Sequence, residues 1–153
     1  MIRTAFVVDT NVVASGLMST DMSRPRSRIL DAMLDGRLLY LMSGALFSEY
    51  SAVLRRPTVV RYHQRTERQI DQLLTDLAAN AVWREPPASD AAPDDGDNHV
   101  WALLEGHPGT CLITGDRRLL DSLPRPGSVV TPREVADTFA DEPSDGSPKR
   151  KTR

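Results

Sequence analysis

The sequence predicts an α/β fold with a parallel sheet and helices on both faces, and two observations carry that prediction. Short apolar runs rich in Val, Ile and Leu alternate with longer segments of helical period, the βαβα order of parallel sheets. The chain has 153 residues, no internal repeat and no second compositional block, which is enough for one domain with its own core.

Taken in order, AFVV (5–8) reads as the first strand, closed at once by Asp9, Thr10 and Asn11. From Ser27 to Leu34, apolar residues at 29, 30, 33 and 34 have helical spacing, and Gly36 is placed to end that helix from the C′ position. RLLYLMS predicts a second strand. In SGALFSEYSAVLRRP, Leu46, Tyr50, Val53 and Leu54 share one helical face, and Pro57 stops the run. TERQIDQLLTDLAAN opens with a Thr-x-x-Gln capping box and carries Ile70, Leu73, Leu74 and Leu77. AVW (81–83) predicts a short strand, and DNHVWALLEG a helix stopped by Gly106. TCLIT (110–114) is a further β-rich run, ending in Gly115 and Asp116. SVVT is the last strand, and Thr131 to Glu134 form a capping box with Pro at N1, opening a helix to about Ala140. The domain is thus expected over 1–140, with 141–153 (DEPSDGSPKRKTR) reading as a disordered basic tail.

Composition narrows the class. Apolar residues make up 40% and charged residues 26%, as in ordinary globular proteins. No apolar run approaches the roughly 20 residues of a membrane span, and AFVV is too short for a signal peptide. The single cysteine, Cys111, precludes an internal disulfide and suits a reducing compartment, so cytoplasm is the expected location. A net charge of −2 excludes a general polycation, although arginines cluster at 24–28, 55–68 and 117–118 while acids gather in DAAPDDGDN.

The acids at strand ends are the chemical signal. Ligands of open parallel sheets bind beyond the carboxyl ends of the strands, and two apolar runs here end in carboxylates, Asp9 and Asp116. A helix N-cap is the ordinary use of either one; both together point to a site. Glu49 lies mid-helix beside Phe47 and Tyr50, and Asp97 opens a helix whose buried side carries Val100, Trp101 and Leu104. Asp94 and Asp95 stand close enough in sequence to compete with Asp97. Carboxylates gathered this way repel and raise one another's pKa unless cations neutralise them. Oxygen ligands without a Cys or a spaced His pair favour Mg²⁺ or Mn²⁺ over Zn²⁺. The single residues His63, His99 and His107 are expected at the surface.

In their order, DTN after an apolar strand, SEYSAVLRRP, PDDGDNHVWALL and LITGDRRLL resemble the PIN-domain nucleases, most closely the toxins of toxin–antitoxin pairs. The similarity spans residues 4 to about 138. It implies a three-layer α/β/α sandwich with a mostly parallel central sheet, and metal-dependent hydrolysis of RNA. It also implies the roles: Asp9, Glu49, Asp97 and Asp116 are the catalytic acids, with Asp9, Asp97 and Asp116 holding Mg²⁺ or Mn²⁺. The Gly in PDDGDN leaves Asp95 as an alternative to Asp97. Asn11 and Thr114 would position water or phosphate, and Arg24, Arg26, Arg117 and Arg118 are candidates for the RNA backbone. A small antitoxin and a second copy of the chain are the partners the resemblance implies.

Two other classes compete. One is an inactive scaffold of the same fold that binds RNA or a protein. The other is a phosphoryl-transfer domain with Asp after its first strand; that chemistry needs a lysine near the phosphate, and the only lysines are Lys149 and Lys151.

Overall fold

The computed structural model describes residues 4–122 and 126–140; the tail expected at 141–153 lies outside them. Five short strands form the centre: β1 (Phe6–Val8), β2 (Leu41–Met42), β3 (Val82–Trp83), β4 (Cys111–Ile113) and β5 (Ser128–Val130). All the pairings between described strands are parallel. Phe6 sits opposite Cys111 and Val8 opposite Ile113; Leu112 in turn faces Val129, and Leu41 faces Val82. A single parallel bridge from Phe6 to Tyr40, with the Phe6 N–H donating to the Leu39 carbonyl at 2.9 Å, joins the two parts. The resulting order is β3-β2-β1-β4-β5.

Among the described residues eight α-helices surround the sheet: α1 (Thr10–Met18), α2 (Pro25–Leu34), α3 (Gly44–Leu54), α4 (Pro57–His63), α5 (Glu67–Asn80), α6 (Asn98–Gly106), α7 (Arg117–Leu120) and α8 (Pro132–Ala140). Progress from β1 through β2 to β3 runs one way across the sheet, and from β3 to β4 and β5 the other. Right-handed crossovers therefore put α1–α5 on one face and α6 and α7 on the other. α8 returns to pack on α2. This is the three-layer α/β/α arrangement with a parallel sheet that the sequence predicts.

Local chemistry explains most boundaries. Thr66 and Gln69 make both halves of the expected capping box, worth about 1 kcal/mol at an N-cap. The Thr131 hydroxyl accepts from the Glu134 N–H, and Pro132 takes the first helical position. Gly36 follows α2 with φ of +80°, the left-handed C′ conformation that a side chain disfavours. Elsewhere the structure departs from the expectations. The α1 helix begins immediately after Asp9, and α2 starts at Pro25 rather than Ser27. Pro57 does not merely stop α3; it is the N1 residue of α4, a helix the pattern did not announce.

The core is continuous. Val7, Val8, Leu112 and Ile113 of the two central strands are fully buried, as are Leu46, Tyr50, Leu77 and Trp101 from helices around them. Truncating such a Leu to Ala typically costs about 2–5 kcal/mol. Both buried tyrosines use their hydroxyls: Tyr40 donates to the Leu77 carbonyl at 2.7 Å, and Tyr50 donates to the carbonyl of Val8. The second bond ties α3 to the carboxyl end of β1 and so brings Glu49 beside the residue after that strand.

Candidate active site

The strand order reverses between β1 and β4, and in doubly wound sheets the ligand crevice lies at that point. Asp9 follows β1 and Thr114-Gly115-Asp116 follow β4, so both predicted strand-end acids stand there. The two are linked through Thr114, which is fully buried. Its hydroxyl donates to Asp9 Oδ2 at 2.6 Å and accepts from the Asp116 N–H at 3.0 Å.

Capping does not account for all these acids. Asp9 occupies the N-cap position of α1 and Asp97 that of α6, yet neither side chain makes the capping hydrogen bond. Asp116 does cap, accepting from the Arg118 N–H at 2.9 Å. Glu49 projects from α3 with both oxygens engaged: Oε1 accepts from the Thr10 hydroxyl, and Oε2 pairs with His99 Nε2 at 2.6 Å.

Electrostatics couple the four. Burial, then the negative charges of Asp9, Asp94, Glu49 and Asp116, push the Asp97 carboxyl up to about 6. Asp9 is also raised, by its burial and by Glu49 and Asp116, despite the Thr114 hydrogen bond that favours its ionised form. Burial would raise Glu49 as well, but the hydrogen bonds from His99 and Thr10 outweigh it and hold Glu49 below its ordinary value. Asp116 is lowered, chiefly by the Arg118 guanidinium that pairs with it at 3.0 Å. Asp97 thus lies within the field of the other three. Asp95 is exposed on the 3₁₀ turn Asp95–Asp97 that precedes α6, whereas Asp97 at its end is half-buried.

The predicted arginines separate. Arg24 is exposed and pairs with Asp21 at 3.7 Å. Arg117 is exposed, and Arg118 reaches both Asp116 and, at 3.5 Å, Asp94. Arg26 is half-buried, its Nη1 donating to the Ser15 hydroxyl at 3.3 Å. Asn11 is exposed on the first turn of α1.

Two histidines depart from the surface positions expected for them. His63 is buried, with Nε2 against the Leu54 carbonyl at 2.9 Å and Nδ1 accepting from the Arg65 N–H, so it closes α4 rather than facing solvent. His99 belongs to the site through Glu49, and its Nδ1 is buried without a hydrogen-bond partner among the described residues. Its partner lies 50 residues away in sequence, so no local spacing announced it.

Among the described residues, no group of three or more His, Cys, Asp or Glu side chains stands close enough to hold a metal ion as it is. The donor set nevertheless suits a hard divalent cation. It consists of carboxylates with neutral hydroxyl and amide neighbours, and a bound cation would offset both the burial and the negative charges that lift Asp97.

The PIN domain model matches residues 5–118, most of the chain, and the protein belongs to the PIN-domain family, a nuclease-type fold. No curated protein and no solved structure matches it. No helix among the described residues is long and apolar enough to cross a membrane.

Proposed function

We propose that this PIN domain is a Mg²⁺- or Mn²⁺-dependent endoribonuclease, the toxin of a toxin–antitoxin pair acting in the cytoplasm. One observation carries the hydrolytic reading: Asp9 and Asp116 follow the strands at the switch point of the sheet, and Asp97 is lifted to about 6 by burial and by the charges of Asp9, Asp94, Glu49 and Asp116. That is a charge arrangement made for a cation.

Asp9, Asp97 and Asp116 are the residues that would hold the ion. When bound, a divalent ion lowers the pKa of water and neutralises charge on a phosphodiester. The remaining work falls to the protein. Thr114 fixes the Asp9 carboxylate and, through the Asp116 N–H, the loop that carries the next acid. Glu49 has both oxygens occupied by Thr10 and His99, which suits orienting its neighbours better than accepting a proton. Asn11 stands at the opening with a neutral amide for water or phosphate. Arg118 must share Asp116 with any cation that binds there.

The test is cleavage of end-labelled RNA by the purified protein with Mn²⁺, beside Asp9→Asn. Cleavage by the parent and loss in the variant is the expected result; equal cleavage by both removes the mechanism. Growth arrest on induced expression, absent with Asp9→Asn, tests the toxin role. A small antitoxin and a second copy of the chain are proposed as partners on the family resemblance, and light scattering of the purified chain checks the dimer.

The inactive-scaffold reading is favoured by one feature, the absence of a preformed three-ligand cluster among the described residues. Calorimetric titration with Mn²⁺ separates the two: no binding at millimolar ion supports the scaffold.

A further inference from the structure

Beside the acids, on the α1 side, lies an open cleft of about 370 Å³. Asn11, Ser15, Arg26, Arg56, Gly115 and Asp116 line it, so it adjoins the acidic site at Asp116. Its character is the reverse of its neighbour's: two arginines, an amide and a hydroxyl against one carboxylate that Arg118 already holds.

Arg26 reaches the cleft because residue 115 is glycine. A Cβ there would stand 2.0 Å from Arg26 Nη2 and 3.1 Å from its Cζ, so a side chain at 115 would push the guanidinium out of this position. Arg56 enters from the other wall, at the N-cap of α4, and its charge is felt at Glu49. Among the described residues neither arginine forms an ion pair with a carboxylate, whereas Arg24, Arg37, Arg55 and Arg118 all do. Two guanidiniums in one cleft, neither held by a carboxylate among the described residues, present planar forks of N–H donors that suit two oxygens of a phosphate.

We infer that Arg26 and Arg56 form a subsite for the backbone phosphate next to the scissile one. This rests on the proposed nuclease reading. The acids with their cation take the phosphate being cut, and the arginine cleft takes its neighbour, fixing the path of the strand across the end of the sheet. The cleft therefore favours bonds inside a chain over those lacking a flanking phosphate on that side.

The experiment measures binding of a fluorescein-labelled single-stranded RNA octamer by anisotropy with Mg²⁺, in an Asp9→Asn background that keeps the RNA intact. Arg26→Gln and Arg56→Gln are each expected to weaken binding about tenfold and to flatten the log K against log salt slope by about 0.7, one phosphate contact each. Arg26→Lys retains the charge without the fork and should fall between. Gly115→Ala keeps Arg26 but displaces its head group, and should weaken binding as Arg26→Gln does. Arg37→Gln, beyond the far end of α2, should change nothing. If the parent cleaves RNA while both glutamine variants bind as tightly as the Asp9→Asn background, the subsite is overturned and the nuclease reading stands. If the background protein binds no octamer and the parent cuts none, both fall.

Discussion

Two groups of acids in this protein have opposite arrangements. On α5, Glu67 and Asp71 flank Arg55, which bonds them at 2.9 and 2.6 Å; the cation sits between the anions and each carboxylate has a positive partner. At the carboxyl ends of β1 and β4, Asp9, Glu49, Asp97 and Asp116 share one region in which, among the described residues, Arg118 pairs with Asp116 and His99 with Glu49, while neither Asp9 nor Asp97 has an ion-pair partner. The first arrangement is finished within the chain. The second gathers carboxylates of which Asp97 is held near 6, by burial first and by the neighbouring negative charges after it.

The sharpest way to break this comparison is to remove one of the repelling acids. Asp9→Asn is expected to reduce RNA cleavage by about 100-fold or more, the scale of deleting one electrostatic group from an active site. The same substitution should leave the metal-free melting temperature unchanged or higher at pH 7, because burial already disfavours the Asp9 charge. A variant that lost activity only by unfolding would undo the contrast.

Supplying the missing charge is the next largest effect. Mg²⁺ or Mn²⁺ at about 100 times its Kd should stabilise the folded state by about 2.7 kcal/mol, raising Tm by several degrees, with reversal by EDTA. Scanning calorimetry with and without the ion checks it, and Asp97→Asn should lose most of the shift.

A smaller effect lies in the pH dependence of the metal-free protein. Asp97 is raised from 3.8 to about 6, so between those values the folded state keeps a proton that the unfolded state has released. Its contribution to stability therefore falls as pH rises through that window. Glu49 and Asp116, both lowered, act in the opposite sense and lose their contribution as pH falls. The difference in Tm between Asp97→Asn and the parent should accordingly grow from pH 4 to pH 6 and then level off.

Least of all is expected from the closed network. Glu67→Gln should cost about 0.2–1 kcal/mol at low salt, less at high salt, and leave cleavage untouched. An effect on cleavage there would show that the two groups are not independent.

Much of this was legible in the chain because it is local. The strand tips carrying Asp9 and Asp116, the Thr66–Gln69 box and the buried face of α6 depend on neighbours a few residues apart, and pattern reports such neighbours. The α1 helix escaped because Val12, Val13, Ala14, Gly16 and Leu17 are all buried, so no polar face marks its period. Pro57 has the same identity whether it ends one helix or opens the next. Glu49 with His99, and the seat of Arg26 over Gly115, are contacts between distant segments. They follow from how helices settle on the sheet and leave no trace in spacing.

The strand order has a last consequence, in time. β1 leaves the ribosome with Asp9 more than a hundred residues before β4 arrives to lie beside it, since Val8 must wait for Ile113. No fragment ending before Asp116 carries the whole set of acids, so the candidate site can be completed only when nearly all of the domain has been made.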